Sequence, residues 1–495
     1  MAYNNNTDVI GLAVGYLNKK YKTNISTEYY TKIKTWREWW EGYVKAVHSY
    51  RERGVNGATK QRELFRLGMA KRITEDWASL LLNEKTTLVI EHPNSKEWLL
   101  GDDSEQGTGG VLGENNFWAE ANELMEKAFA FGTSAFVARA EGATVNSKGA
   151  VIPSPNCRAA IEYVDALSII PLSVEKSKIT EAAFVSEVIK RGKTHIYIET
   201  HTKGENGNYI IENELFLLDG MKLKKAEFTE GIVPMIDTGS PIPWFSFVYP
   251  NITCNIKECN GLGMSIYANA IDNLRAVDIA YNNFVKDFVL GGKKVFYNKS
   301  MLQTNDKGET ITPDDVVQQL FQQIGDGVDF DAKQMVQEFN PSLRVAENKD
   351  GVQAQLDYLS FKCGMGTKRY QFNSSGVSVK TATEYNGERQ ELVQHAQRHA
   401  IVMESALKTL CKALLHIGKV FCGADVDPET PVKVNFEDGF VIDDVAAREN
   451  DRQDVRDGLK LPWEYRVKWY SETEEQAKAA LEGMQTAQTN PFGFA

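Results

Sequence analysis

The sequence lacks the features that mark exported and membrane-embedded proteins. Its N-terminal residues include neither a basic stretch nor an apolar one, so a secretory signal is not expected. No apolar run approaches the roughly 20 residues that a membrane-spanning helix requires. The six cysteines are scattered along 495 residues and form no CxxC pair, which argues against a disulfide framework. We therefore expect reduced thiols in a cytosolic environment and no membrane contact.

Motifs for nucleotide or metal binding are equally scarce. No GxxxxGK[ST] string occurs, and residues 260–264 carry only part of a dinucleotide-binding pattern, so no nucleotide site is predicted. His395 and His399 stand one helical turn apart, but no glutamate lies between them to serve as a general base. A solvated helix face is the better interpretation of this histidine pair.

Neighbouring aspartates are the remaining candidates for chemistry. They could bind a divalent ion or act as an acid and a base, but carboxylates at helix starts more often cap free N–H groups. The pairs are Asp102 with Asp103, Asp314 with Asp315, and Asp443 with Asp444. We favour the structural interpretation and predict no enzyme activity, no cofactor and no metal.

The charge balance is acidic, with a formal net charge of -11 at pH 7, so tight binding of nucleic-acid phosphates is not indicated. One basic cluster on a predicted helix could contact phosphates or an acidic partner, although a solvated face is the commoner outcome. The cluster comprises Lys60, Arg62, Arg66, Lys71 and Arg72. The aromatic group of Trp36, Trp39 and Trp40 is more typical of core packing than of a base-stacking platform.

Hydrophobic periodicity predicts helices in the first quarter of the chain and an antiparallel sheet after it. Apolar residues recur at helical spacing in three segments, which are residues 26–47, 60–82 and 114–131. A short strand is predicted at 86–90. Between residues 132 and 250, β-branched and aromatic runs alternate with Gly- and Asn-rich turns such as 204–208, which predicts one sheet. Its clearest strands are 182–189, 194–200 and 209–216.

The second half of the chain returns to helical periodicity. Apolar residues from Ile266 to Phe288 predict a helix that ends at Gly291. A small αβ segment follows, with strands at 294–298 and 335–339 and a helix at 313–324. The remaining predictions are a helix through 352–363, a loop at 366–383, a long helix at 384–421, a strand at 432–436, a polar helix after 444 and a helix begun by a capping box at 471–474. The fold class is therefore α+β and mainly helical.

Two stretches of this sequence resemble a known family. Residues 243–248 (PWFSFV) and then 261–272 (GLGMSIYANAID) resemble the segment that leads into the first stem helix of portal proteins from phages of Gram-positive bacteria. Residues 379–384 (VKTATE) resemble the segment of those portals that joins the tunnel loop to a long helix. The order of predicted elements matches the portal fold across nearly the whole chain.

The resemblance implies a division of the chain into the regions of a portal subunit. These are a wing at 1–260, helical at 1–131 and antiparallel β at 132–260; a first stem helix at 261–290; an αβ clip at 291–345; a second stem helix at 346–366; a tunnel loop at 367–383; a long wing and crown helix at 384–423; and a C-terminal strand with crown helices at 424–495.

The function implied by the resemblance is structural. A portal forms a dodecameric ring at one capsid vertex of a tailed phage, and double-stranded DNA passes through its channel during packaging and ejection. Its expected partners are other copies of itself, the terminase large subunit, the head-tail connector, the major capsid protein and the scaffold. Its expected location is the virion, and the host cytoplasm during assembly.

The resemblance also implies two sets of site residues. The tunnel loop would lie closest to DNA through short polar side chains, namely Asn373, Ser374, Ser375, Gly376, Ser378 and Lys380. The clip would offer a docking surface at Lys293, Lys294, Asp314 and Asp315. Two alternatives stay open at this point: another phage structural ring component, such as a connector or baseplate subunit, and a nucleic-acid-processing enzyme.

Overall fold

The architecture is that of a computed structural model, which describes residues 9–53, 57, 59–83, 86–101, 109–146, 151–154, 156–227, 232–298, 321–324, 336–371, 382–436, 444–470 and 477–481. The chain divides into two compact units, residues 1–378 with 388–436 and residues 379–387 with 437–495. Helices account for 45% and strands for 26%, which agrees with the predicted mixture of the two. Within the described ranges, no helix combines the length and the apolar character needed to cross a bilayer.

The helices are numbered in chain order. They are α1 (Val9–Tyr21), α2 (Glu28–Trp40), α3 (Lys45–His48), α4 (Met69–Leu81), α5 (Pro93–Leu100), α6 (Gly110–Glu114), α7 (Phe117–Phe131), α8 (Ile271–Leu290), α9 (Val345–Lys362), α10 (Ala382–Val420), α11 (Asp444–Arg456) and α12 (Pro462–Tyr470). Sequence periodicity located most of these segments, but it missed α1, α5, α6 and α12.

The strands form several small sheets. They are β1 (Ser49–Arg53), β2 (Thr59–Glu63), β3 (Thr87–Ile90), β4 (Ser134–Glu141), β5 (Thr144–Val145), β6 (Val151–Ile152), β7 (Arg158–Asp165), β8 (Ile169–Glu175), β9 (Lys178–Lys190), β10 (Lys193–Lys203), β11 (Tyr209–Asp219), β12 (Lys222–Ala226), β13 (Met235–Asp237), β14 (Phe245–Val248), β15 (Lys294–Asn298), β16 (Phe321–Ile324), β17 (Val336–Phe339) and β18 (Val432–Asn435).

Helices α2, α4 and α7 build the helical core of the larger unit. Trp77 of α4 stacks on Phe129 of α7 with ring centroids 5.7 Å apart. Trp36 and Trp39 of α2 are buried, as the core interpretation of the tryptophan group requires. The predicted helix at 26–47 is nevertheless too long, because the chain turns after Trp40 through Gly42, whose φ of +80° is a conformation that favours glycine.

The predicted helix at 60–82 is wrong in its first part. Residues Thr59–Glu63 form β2, which pairs antiparallel with β1 to make an isolated hairpin. Helix α4 begins only at Met69, after Gly68 in the left-handed region at φ +70°. A residue in the left-handed conformation interrupts a right-handed helix. Helix α4 therefore cannot continue back into β2.

The region from residue 132 to 250 contains more than the one sheet that was predicted. A six-stranded sheet runs in the order β12-β11-β10-β9-β8 with β13 paired to β11, while β14-β4-β7 and β5-β6 form separate sheets. Phe245 of β14 packs against Phe184 of β9 and Tyr209 of β11, with centroids 5.8 and 5.9 Å apart. The strands form separate sheets because the apolar face of one sheet is buried against the apolar face of another.

The segment after residue 261 begins with irregular chain and a short 3-10 turn, and α8 starts at Ile271 rather than earlier. It ends at Gly291, as predicted. The predicted strands β15 and β17 are present, but residues Phe321–Ile324 form β16, parallel to β15, where a helix was predicted. The rest of that predicted helix lies outside the described residues.

Helix α10 confirms the prediction of a long helix. Its 39 residues correspond to about 58 Å at 1.5 Å per residue, and the buried residues Met403, Leu407, Leu410 and Leu414 follow the predicted periodicity. In the smaller unit, α11 confirms the predicted polar helix. Asp451 of α11 accepts hydrogen bonds from Lys468 and Trp469 at 2.8 and 2.7 Å, and the lysine contact lowers the pKa of this carboxyl to about 2.

Candidate functional site: the paired helices and their small sheet

Helices α8 and α9 pack against each other. The strands of the small sheet, β15 to β17, lie between the two helices in the sequence. Their buried side chains form one apolar seam, contributed by Leu274 and Val277 of α8 and by Val352, Leu356 and Leu359 of α9. The predicted periodicity of both helices placed these residues on the inner face. The two helices therefore form a pair with a buried inner face and an outer surface.

A polar cluster joins the end of α8 to the start of α9. The carboxylate of Asp287 accepts hydrogen bonds from the Arg344 guanidinium at 2.8 Å and from the Asn348 amide at 2.9 Å. The arginine contact lowers the pKa of Asp287, and the same contact raises the pKa of Arg344. These bonds fix the point at which the chain leaves the helix pair and returns to it.

The small sheet has β15 at its centre, with β16 parallel on one side and β17 antiparallel on the other. Lys293, one of the predicted docking residues, precedes β15 and pairs with Glu338 of β17 at 2.7 Å. Lys294 is the first residue of β15. Asp314 and Asp315 lie outside the described residues, so the predicted docking set stays a prediction.

The outer surface of the helix pair carries large apolar side chains. Ile279 of α8 is 40% exposed, and Tyr358 and Phe361 of α9 are 62% and 53% exposed. More such residues surround the helix ends, namely Phe288, Val289, Leu290, Phe339, Leu343 and Val345. Exposed apolar side chains concentrated on one pair of helices are typical of an interaction surface. Sequence reasoning missed it, although Tyr358 and Phe361 lie off the stripe that predicted the core of α9.

Comparison of the sequence with models of known protein families shows the family of this chain. A family model described as phage portal protein, SPP1 Gp6-like, matches residues 19–489. The chain belongs to this family of phage portal proteins. No curated protein matched the chain. The portal family is structural rather than enzymatic and its members are components of the phage capsid that act as oligomeric rings.

A buried polar network fixes α8 of this portal chain to the helical core. The His48 ring bonds to Asp278 of α8 through Nε2 at 3.1 Å, and its Nδ1 accepts the Val44 N–H at 2.8 Å. The other carboxylate oxygen of Asp278 accepts the Leu67 N–H at 2.8 Å. Both His48 and Asp278 are buried. The network orients α8 because each of its polar groups would be costly to leave unpaired.

The segment that follows α9 is fixed to α4. The buried carboxylate of Asp76 accepts a hydrogen bond from the Tyr370 hydroxyl at 2.9 Å and pairs with Arg72 at 2.9 Å. The Trp77 indole N–H donates to the carbonyl oxygen of Cys363 at 3.2 Å. The predicted DNA-contacting residues of the tunnel loop, from Asn373 to Lys380, begin just beyond Tyr370 and lie outside the described residues.

The structure corrects two interpretations of charged residues. His399 does not lie on a solvated face: it is buried, its Nδ1 accepts the Asn251 N–H at 2.9 Å, and burial lowers its pKa to about 3. The basic cluster is not one helix face either, because Lys60 and Arg62 lie on β2 and Lys71 and Arg72 on α4. Most of its members have partners within the chain, such as Glu126 for Lys71 at 2.5 Å.

A group of charged side chains joins β4, β7 and β10. Arg139 of β4 lies between Glu162 and Glu199, and Glu199 also bonds to His201 at 2.7 Å. Despite burial, the Arg139 charge lowers the pKa of Glu199 to about 2, whereas burial raises the pKa of Glu162. Each charged side chain has a partner of opposite charge within the group, which is typical of a structural ion network. Among the described residues no cluster of three or more metal-ligating side chains occurs.

Proposed function

We propose that this chain is the subunit of a dodecameric ring at one capsid vertex, which forms the channel for double-stranded DNA during packaging and ejection. In this proposal, residues 1–260 are the wing, α8 and α9 the stem, residues 291–345 the clip and residues 367–383 the tunnel loop. Helix α10 is the long wing and crown helix, and residues 424–495 are the C-terminal strand and crown helices. Family membership supports the general role, and the surface of the helix pair supports the assembly.

The exposed apolar surface of α8 and α9 is the observation that carries the proposal. Ile279, Tyr358 and Phe361 lie in a helix pair that already has a complete inner seam, so their exposure does not result from poor packing. A soluble chain gains free energy by covering such residues. Contacts between two different faces of identical subunits generate either a closed ring or an open filament, and a ring around an axis gives the channel.

The proposed clip would dock the terminase large subunit during packaging and the head-tail connector afterwards. Its three-stranded sheet joins the ends of α8 and α9, which supports a projection at one end of the stem. Lys293 and Lys294 with Asp314 and Asp315 are the proposed contacts. The wing would contact the major capsid protein and the scaffold.

The proposed channel lets DNA slide because it does not bind phosphates tightly. Each phosphate that a lysine or arginine neutralises adds to affinity, and the chain has a net charge of -11. The proposed tunnel loop carries mostly short polar residues, with Lys380 as its basic member. Such side chains can touch a duplex without holding it.

Imaging of the purified full-length chain and of virions tests the proposal. We expect averages of the purified protein viewed along the axis to show closed rings with a central channel wide enough for a duplex, and twelve-fold symmetry at the virion vertex. A connector or baseplate subunit would instead locate to the tail in virions labelled at this chain. A protein that stays monomeric at all concentrations, or a ring with a channel too narrow for a duplex, would contradict the proposal.

A second experiment tests the position of the tunnel loop. Replacing Ser374 or Ser375 by tryptophan adds bulk where the proposal puts the DNA, so we expect reduced packaging yield with normal ring assembly. Replacing Ser79, which is exposed on α4, by tryptophan provides a control. Equal packaging by the wild-type and loop variants would show that the loop does not contact DNA.

A further inference from the structure

The β1–β2 hairpin stands on the surface of the larger unit without a covering element. All residues of β2 and the last three of β1 are exposed, and the two strands pair only with each other. An isolated two-stranded hairpin is marginally stable in water. An exposed hairpin with a defined register therefore suggests a surface that another molecule covers.

The base of the hairpin is held firmly against α8. Lys286 of α8 donates a hydrogen bond to the Tyr50 hydroxyl at 2.6 Å and lies over the Tyr50 ring at 5.0 Å. Just beyond β2, the Phe65 N–H donates to Asn282 of α8 at 3.2 Å. The hairpin therefore has a fixed attachment beside the stem, and its two faces can be distinguished.

The two faces of the hairpin have different neighbours. In a strand, successive side chains point to opposite faces. Tyr50 contacts α8, so Arg51 and Arg53 lie on the face that points away from this helix. Arg62, on the Tyr50 face, pairs with Glu52 at 2.9 Å. By contrast, Arg51 and Arg53 form no ion pair with any residue that the structure describes.

The outer stripe of α9 offers the complementary charge. Glu347 and Asp350 are exposed and stand three residues apart, and the same stripe continues to Tyr358 and Phe361 at helical spacing. Asn348 and Arg344, their neighbours, contact Asp287 near the end of α8. The subunits of a ring are related by rotation about its axis, so equivalent residues of all copies lie at the same level along that axis. Glu347 and Asp350 of a neighbouring copy would therefore lie near the level at which the hairpin attaches to α8.

We propose that the hairpin is an arm that binds the next subunit of the ring, with Arg51 and Arg53 of one copy against Glu347 and Asp350 of the other. This inference rests on the proposed ring. The occupant is a second copy because the acidic residues of α9 adjoin the exposed apolar surface that the ring would cover. Nucleic acid is a weaker candidate, since Glu52 and Glu63 lie among the basic residues of the arm and would repel phosphates.

Charge reversal tests the arm. The variant Arg51→Glu with Arg53→Glu replaces attraction by repulsion at every interface, so we expect the protein concentration for half-maximal ring assembly to rise about tenfold or more. Native mass spectrometry across a concentration series measures this. Adding Glu347→Arg and Asp350→Arg to the same chain restores the attraction with the signs exchanged, and we expect assembly to recover.

Controls separate the arm from the ring itself. Reversal of two exposed lysines on the six-stranded sheet, Lys178→Glu with Lys222→Glu, makes the same charge change elsewhere, and we expect unchanged assembly. Circular dichroism checks that each variant is folded. If the wild-type chain forms no ring, the proposed function fails. If the wild type forms rings and the Arg51 and Arg53 variant does so equally well, the arm is wrong. A normal ring that loses DNA binding at low salt would assign the arm to DNA and also overturn the inference.

Discussion

The helical core and the proposed stem helices α8 and α9 of this portal chain differ in whether their apolar and charged side chains find partners within the same chain. In the core, Trp77, Phe129 and Phe136 are fully buried, and Glu199 has charged and hydrogen-bonding partners within the same subunit. On the stem, Tyr358 and Phe361 are exposed although the inner seam is complete. The core has its contacts within one chain, whereas the exposed side chains of the proposed stem would be covered only by a neighbouring molecule. Substitutions in the two regions should therefore affect different measurements.

The largest loss of subunit stability is expected in the core. Trp77→Ala removes a buried ring that stacks on Phe129 and meets His399 at 4.9 Å. We expect the free energy of unfolding to fall by about 3–5 kcal/mol, measured by urea denaturation at a concentration below that of ring assembly. The matched stem variant Phe361→Ala should change it by less than about 0.5 kcal/mol. Similar losses for both would show that the stem surface is part of the subunit core.

A loss nearly as large is expected at the buried carboxylate of Glu199. Glu199→Gln leaves Arg139 and His201 without their shared carboxylate, and we expect a loss of about 3 kcal/mol at neutral pH. The exposed Glu175→Gln on β8 is the control.

The pH dependence sharpens the same test. The folded-state pKa of Glu199 is about 2, below its ordinary value of 4.5, so its contribution is complete above about pH 4.5 and is lost as the pH falls toward 2. The wild type should lose stability across this window, and Glu199→Gln should lose less. Identical slopes for the two proteins would contradict an ionised, paired Glu199.

The junction between core and stem should give an intermediate effect. Asp278→Asn keeps the shape of the side chain but removes one of the two acceptor oxygens used by His48 and the Leu67 N–H. We expect a loss of about 1–2 kcal/mol, together with faster amide hydrogen exchange at the base of the β1–β2 hairpin. Asp272→Asn, exposed on the same helix, should have neither effect. Unchanged exchange at the hairpin base would show that Asp278 does not hold it.

Much of the fold could be predicted from the sequence, because its elements follow local rules. The long helix α10, the helix pair α8 and α9, and strands β9 to β11 carry clear periodicity over many residues. The β1–β2 hairpin could not be predicted, because its polar residues do not alternate with apolar ones and the helix predicted from the periodicity of α4 included β2. The separate sheets between residues 132 and 250 depend on long-range packing around Phe245, which no local pattern shows.

The candidate site was predictable only in part. The family resemblance gave the clip and tunnel-loop residues, of which Lys293 and Lys294 lie within the described chain. The exposed surface of α9 carried a signal, since Tyr358 and Phe361 are apolar residues outside the core stripe. His399 was misjudged because its burial comes from Trp77 and Phe129, which are far away in sequence.

The smallest change in subunit stability, and the sharpest separation of the two regions, is expected on the outer stem. Tyr358→Glu with Phe361→Glu should alter the free energy of unfolding of the isolated subunit by less than about 0.5 kcal/mol, because both residues are more than half exposed. The same variant should not form rings, since two carboxylates would have to be buried without partners at each interface. Met221→Glu, at an exposed apolar residue in the turn before β12, is the control and should form rings normally. Sedimentation analysis measures assembly. Persistence of rings in the stem variant would show that this surface faces the solvent or another phage protein rather than the next subunit.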